Sequence, residues 1–187
     1  MPDAVVFAES IADIATTLKI CNAHKIPVTP FGAGTSLEAN STPIHGGVAL
    51  DVSRMDSILR VDSSDLDCTV QPGVRRKALN EHLAQFGLFF PVDPGADATI
   101  GGMAATGASG TTTVKYGAMK QLVLGLTVVM ASGEKITLNF DPSSHLASIA
   151  TNPSQINSLI ENKQAVSVNG GLIILSTKAI NTLTAGV

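Results

Sequence analysis

The sequence is poor in aromatic residues and in charge. Of its 187 residues only 4% are aromatic, none is tryptophan, 14% are charged, and the net charge is −3 at pH 7. Few rings are present to stack on nucleic-acid bases, and a slightly negative chain is not attracted to phosphate backbones or anionic membrane surfaces. The composition therefore predicts no nucleic-acid partner.

Long apolar runs, targeting segments and paired cysteines are also missing. No apolar run approaches the roughly 18 residues of a transmembrane helix, so we expect none. The N-terminus lacks the basic and apolar regions of a signal peptide, and it lacks an arginine-rich presequence. The only cysteines, Cys21 and Cys68, lie far apart in apolar contexts, which favours free thiols over a disulfide or a metal pair.

What is present indicates a folded domain. The chain is 44% apolar with 17 glycines and 9 prolines, which suits one domain or two small lobes that share a core. In the first part, Ser10 and Asp13 are spaced as a capping box before apolar residues at helical intervals, which predicts a helix over residues 10–24. Short apolar strands at 5–7, 26–30 and 48–52 would form a parallel α/β unit with it.

A second unit follows from position 55. Gly87 fits the end of a helix predicted over residues 75–86. Asp62, Asp65 and Asp67 lack the central glycine and terminal glutamate of a calcium loop, so we expect a polar turn and no metal site. The apolar pattern predicts strands at 58–61, 68–70, 122–130, 135–138 and 170–176, and a short helix near 156–160.

Two stretches of small residues are candidate binding loops. Residues 30–37 carry Gly32 and Gly34, which allow a sharp turn whose N–H groups could converge on an anion such as a phosphate. The third glycine of a dinucleotide fingerprint is absent, so an ordinary tight turn remains an alternative. Residues 94–110 form a second loop of small residues, which suits either a flat or extended ligand or a packing surface between helices. Two such loops, each leaving a strand, favour a dinucleotide-like ligand between two lobes.

Three blocks in this order and spacing resemble a known family. They are residues 30–38, residues 91–99 with 102–111, and Tyr116-Gly117 before 123–126. Over residues 1–138 the chain resembles the FAD-binding (PCMH-type) domain of vanillyl-alcohol-oxidase-type flavoproteins. The branch is that of the mitochondrial D-lactate dehydrogenase (cytochrome) type and the D subunit of glycolate oxidase.

The resemblance implies an α+β fold with two lobes, a small α/β lobe and a lobe with a mixed or antiparallel sheet flanked by helices. The first lobe would span about residues 1–54, the second about 55–138, and a divergent tail 139–187. Thr35 stands where some relatives carry a histidine that binds flavin covalently, so FAD is expected to be noncovalent. Ala39 stands where relatives usually have glycine, which would stiffen the exit of the first loop.

The family's cofactor contacts map onto matching positions here. The first loop would hold the FAD pyrophosphate, and the second would line the pyrophosphate, ribityl and isoalloxazine path. The implied cofactor-binding residues are Phe31, Gly32, Ala33, Gly34, Thr35, Ser36, Pro94, Gly95, Thr99, Gly101, Gly102, Ala105, Thr106, Ala108 and Ser109.

The resemblance also implies an activity. The family oxidises a D-2-hydroxy acid by hydride transfer to FAD and passes electrons to cytochrome c or another carrier, in mitochondria or otherwise in the cytoplasm. No substrate domain follows in this sequence, so the chain is expected to be truncated and inactive alone, with its catalytic residues unassigned. The alternatives are a non-catalytic flavin-binding scaffold and a sugar- or alditol-type oxidase on the same scaffold.

Overall fold

The first lobe is a parallel sheet covered by one helix. The computed structural model describes residues 1–140 and 147–149. The sheet has the strand order β1-β3-β2, with both pairings parallel. Its elements are β1 (Ala4–Phe7), α1 (Ile11–Ala23), β2 (Val28–Phe31) and β3 (Val48–Asp51). The predicted parallel α/β unit is confirmed.

Helix α1 begins where the capping box was predicted. The Ser10 hydroxyl accepts a hydrogen bond from the Asp13 N–H at 3.2 Å, and the Asp13 carboxylate accepts one from the Ser10 N–H at 2.9 Å. Both bonds satisfy N–H groups that the first helical turn leaves without partners. Ile14 and Leu18 on one face are buried against the sheet, which orients the helix.

The second lobe combines antiparallel strands with short helices. Strands β4 and β5 form a hairpin, and β6, β7 and β8 form an antiparallel sheet in that order. The elements are β4 (Ile58–Asp62), β5 (Asp67–Val70), α2 (Arg76–Ala84), α3 (Ile100–Ala105), α4 (Thr113–Tyr116), α5 (Met119–Leu122), β6 (Gly125–Val129), β7 (Lys135–Phe140) and β8 (Ala147–Ile149). The α+β fold with two lobes is confirmed, whereas the predicted helix near 156–160 and strand at 170–176 lie outside the described residues.

The second small-residue stretch is not wholly a loop, and in this respect the sequence prediction was wrong. Residues Ile100–Ala105 form α3, because Thr99 caps the helix and Ile100, Met103 and Ala104 are buried at helical spacing. The helix ends in a Schellman motif, in which Gly107 has φ +60° and the Ala108 N–H bonds to the Met103 carbonyl at 2.8 Å. The burial of this turn outweighs the cost of its glycines.

Two further predictions need correction at element boundaries. The second small-residue stretch does not follow a strand, because the described chain forms no strand between α2 and α3 and Thr99 makes only an isolated bridge with Arg75. The strand predicted over 122–130 begins at Gly125, since Leu122 ends the short helix α5. Apolar residues in a short run fit a buried helix end as well as a strand, and packing decides between the two.

Two clusters of buried side chains hold the lobes. One contains Ile14, Leu18 and Leu50 from the first lobe together with Val129 from β6. The other packs α2 against α3 through residues such as Leu79 and Met103. Strand β6 of the second lobe therefore packs into the core of the first lobe, which joins the two lobes at this point.

The acidic turn between β4 and β5 is held by its own hydrogen bonds. The Asp62 carboxylate accepts bonds from the Ser64 hydroxyl and from the N–H groups of Ser64 and Asp65, and these bonds lower the pKa of Asp62. Arg60 forms an ion pair with Asp67 at 2.6 Å.

Both cysteines are free thiols, as predicted, and burial raises the pKa of the half-buried Cys68. None of the helices in the described part of the chain has the length and apolar character to cross a membrane.

Candidate functional site

A cleft opens at the carboxyl edge of the parallel sheet. Phe31 lies opposite Asp51 in the register of β2 and β3, so the residues that follow them, Gly32 and Val52, reach the same edge. Ligands of open α/β sheets bind at this edge, outside the ends of the strands. The cleft holds about 480 Å³, a volume within the range of small-molecule and cofactor pockets.

The cleft brings together the two small-residue stretches that the sequence singled out. All the predicted cofactor-binding residues line it except Gly95. Gly95 is exposed and has φ +83°, so it shapes the turn beside the cleft without entering the lining. The lining residues that were predicted are Phe31, Gly32, Ala33, Gly34, Thr35, Ser36, Pro94, Thr99, Gly101, Gly102, Ala105, Thr106, Ala108 and Ser109.

Other lining residues were missed by sequence reasoning. Val52 and Pro72 line the cleft but lie outside both small-residue stretches, and Met103 lies within the second stretch but was not singled out. Of the two outside, only Val52 carried a signal, because it follows a strand that runs parallel to the strand before the first loop. Pro72 enters through a close contact: a Cβ on Gly101 would lie 2.6 Å from the Pro72 Cβ.

The first wall of the cleft is the loop after β2. Gly34 has φ +66°, and a Cβ there would also lie 3.0 Å from the Phe31 ring. Among the described residues, the backbone N–H groups of residues 33–37 have no protein acceptor; the loop's internal bonds begin with the Glu38 N–H, which donates to the Ser36 hydroxyl. Backbone N–H groups require an acceptor, and a run of free ones beside a cleft is suited to an anion.

The second wall is built around the buried Thr99. The residue is 1% exposed, and its hydroxyl oxygen accepts a hydrogen bond from the Gly102 N–H at 3.3 Å, which caps α3. A Cβ on Gly32 would lie 2.5 Å from the same oxygen. The two walls therefore touch at this point, and only a glycine at position 32 allows that approach.

The cleft has almost no charge of its own. Within the part of the chain that the structure describes, Glu38 is the single ionisable residue of the lining, and no group of three or more His, Cys, Asp or Glu residues could hold a metal ion. His24, His45 and His82 do not line the cleft, and His145 lies outside the described residues. Binding of a charged ligand here would depend on backbone dipoles rather than on ion pairs.

Ala39 leaves the first loop in a conformation that suits glycine. Its φ of +56° lies in the left-handed region, which costs an alanine about 1 kcal/mol relative to glycine. We therefore expect Ala39→Gly to raise the free energy of unfolding by up to about 1 kcal/mol, measured by chemical denaturation. Ala33→Gly in the same loop is the matched control. Ala33 has no positive φ, so its replacement by glycine relieves no strain and should lower the free energy of unfolding. Equal losses in both variants would contradict the assignment of strain to Ala39.

Comparison with known proteins gives this cleft a chemical context. Residues 2–139 match the FAD binding domain family. The chain is 48% identical over 132 residues to a probable mitochondrial D-lactate dehydrogenase of Danio rerio, covering 71% of this chain and 27% of that protein. It is 43% identical over 136 residues to the mitochondrial D-lactate dehydrogenase [cytochrome] of Arabidopsis thaliana, covering 73% and 24%.

Bacterial proteins and solved structures extend the similarity. The glycolate oxidase subunit GlcD of Bacillus subtilis is 38% identical over 138 residues, covering 73% of this chain and 29% of that protein. The fold is also that of 6-hydroxy-D-nicotine oxidase from Arthrobacter nicotinovorans, with a TM-score of 0.68 and 25% identity over 74% of this chain and 31% of that one. The chain thus spans 24–31% of the length of these proteins.

The family match covers both walls of the cleft and both clusters of buried side chains. The fold, the free N–H groups of the first loop and the similarity of sequence agree on one ligand, FAD. The chain belongs to the FAD binding domain family, and over this domain it is similar to D-lactate dehydrogenases and to a subunit of glycolate oxidase.

Proposed function

We propose that FAD lies in the cleft between the two loops, with its pyrophosphate on the first loop. The free N–H groups of residues 33–37 support this placement, because they offer donors to phosphate oxygens where no cationic side chain is present. The small side chains of the second wall suit the passage of the ribityl chain and the ring. The proposed contacts are the predicted residues that line the cleft, with Gly95 shaping the turn beside them.

The cofactor is proposed to be noncovalent. Thr35 occupies the first-loop position where a covalent relative would need histidine, and a threonine hydroxyl is a poor nucleophile without an adjacent base. Within the described cleft no histidine lies beside it. We keep the division into lobes at about 1–54 and 55–138 as part of this proposal, with 139–187 as the tail.

The proposed reaction is the oxidation of a D-2-hydroxy acid such as D-lactate. The names of the relatives from Danio rerio and Arabidopsis thaliana support this class of substrate. When bound, FAD supplies the hydride acceptor. The residues of this chain bind and orient the cofactor, and cytochrome c or another carrier is the proposed electron acceptor. A mitochondrial location follows the names of these eukaryotic relatives, with the cytoplasm as the alternative from the bacterial ones.

The proposal is tested on the purified chain. We expect it to bind FAD, with a flavin absorption spectrum and quenched flavin fluorescence, and to show little reduction of a dye with D-lactate. Removal of a hydroxyl proton needs a base beside the substrate, and the described cleft lining offers only Glu38 as an ionisable group. A chain that binds no flavin would overturn the cofactor site. Robust D-lactate oxidation by this chain alone would contradict the expectation that it binds the cofactor without catalysing the reaction.

A further inference from the structure

The first turn of α2 carries positive charges and has no acidic residue of its own to balance them. Its N-cap is Arg75, which makes no side-chain cap, and Arg76 and Lys77 follow, with no acidic residue in the turn. Cations are unfavourable at a helix N-terminus, and the first N–H groups of a helix need acceptors from outside. The chain meets both needs with carboxylates from another segment.

That segment is the one that forms the second wall of the cleft. The Asp97 carboxylate accepts a hydrogen bond from the Lys77 N–H at 3.0 Å, and so caps α2 from 20 residues away. Arg75 donates through Nη1 to the Asp97 carbonyl at 2.9 Å. Arg76 adds an ion pair to Asp93 at 3.4 Å, and its N–H donates to the Ala98 carbonyl at 3.0 Å.

Asp97 does not enter the cleft, but its neighbours do. Ala96 and Ala98 line the cleft, whereas Asp97 between them turns its carboxylate to α2. The bonds to α2 therefore determine where the backbone of residues 96–98 lies, and with it the position of this wall. A wall held in place before binding spares the ligand the cost of ordering it.

We propose that Asp97 is a positioning residue for the flavin, which acts by capping α2 and thereby holding the second wall of the cleft in its binding position. This inference rests on the proposed placement of FAD in the cleft. If the second wall occupies its binding position in about a tenth of the molecules that lack the cap, the apparent affinity for FAD falls about tenfold.

The test compares the FAD dissociation constants of the original chain and its variants by flavin fluorescence. The measurement is made at a temperature well below the thermal unfolding midpoint of every variant. Asp97→Ala removes the acceptor and is expected to bind FAD about tenfold more weakly. Asp97→Asn keeps an oxygen that can accept from the Lys77 N–H, and its affinity should stay within about threefold of the original chain. If Asp97→Ala does not fold, Asp97→Ser replaces it, because its hydroxyl ends one bond short of the carboxylate oxygen.

Asp62→Ala is the matched control, because Asp62 also accepts backbone hydrogen bonds but in the β4–β5 turn, outside the cleft lining. It should lose stability without a change in FAD affinity. Unchanged affinity in Asp97→Ala, or an equal loss in Asp97→Asn, would overturn the positioning role of the cap. Failure of the unmodified chain to bind FAD would instead overturn the placement of the cofactor, so the two failures are distinguishable.

Discussion

Replacing Gly110 with alanine is expected to lower the free energy of unfolding by about 3 kcal/mol or more. A Cβ at this position would lie 1.8 Å from the Asp93 carbonyl oxygen and 2.3 Å from its carbon. These are backbone atoms, and they cannot turn aside as a flexible side chain can. Overpacking in a filled interior costs about 1–3 kcal/mol, and a collision between two backbone segments belongs at the upper end or beyond.

The neighbourhood of Gly110 makes relaxation difficult. The Gly110 N–H donates to the Thr113 hydroxyl at 2.7 Å, and the Thr112 hydroxyl donates to the Pro91 carbonyl on the crossing segment. Separating the two segments would also break the bond between Thr112 and Pro91. Urea denaturation followed by circular dichroism measures the loss.

Gly107→Ala is the control for this prediction. Gly107 has a left-handed φ of +60°, but no atom lies within 4 Å of the Cβ it would acquire. Only the conformational strain remains, about 1 kcal/mol. Similar small losses of unfolding free energy in both variants would contradict the close approach of Gly110 to the backbone of Asp93.

The second large effect is expected where the two walls of the cleft touch. Gly32→Ala should lower the free energy of unfolding by about 2 kcal/mol and weaken FAD binding by more than about tenfold. Gly32 does not have a positive φ, so the alanine is conformationally acceptable and the effect is steric. The new methyl group would lie 2.5 Å from the Thr99 hydroxyl oxygen and would push the first loop away from α3.

A double-mutant cycle with Thr99→Ala isolates this contact. Thr99→Ala alone removes the cap of α3 and should cost about 1 kcal/mol. It also removes the colliding oxygen, since the next nearest Thr99 atoms would lie 3.6 Å from the methyl group that Gly32→Ala introduces, at van der Waals distance. The loss of unfolding free energy in the double variant should therefore be smaller than the sum of the two single losses, by about 1 kcal/mol or more. Additive losses would contradict direct contact between the walls.

Local patterns were a reliable guide where a signal lay within a few residues. The capping box at Ser10, the apolar face of α1 and the glycine turn after β2 all formed as predicted. Sequence reasoning failed at α3, although its signals were present: a capping Thr99, buried residues at helical spacing, and Gly107 at the end. The glycines and alanines suggested a loop because small side chains are weak evidence for either state, and burial made the difference.

The sequence by itself determined the parallel first lobe, the two small-residue segments and the family, because each depends on the spacing of neighbouring residues. Only the tertiary structure decided that Gly32 meets Thr99, that Val129 joins the core of the first lobe, and that Asp97 caps a helix that begins 21 residues before it. Those contacts join residues far apart in the chain. Their partners are selected by packing and by the need of buried polar groups for hydrogen bonds, and no local pattern records that selection.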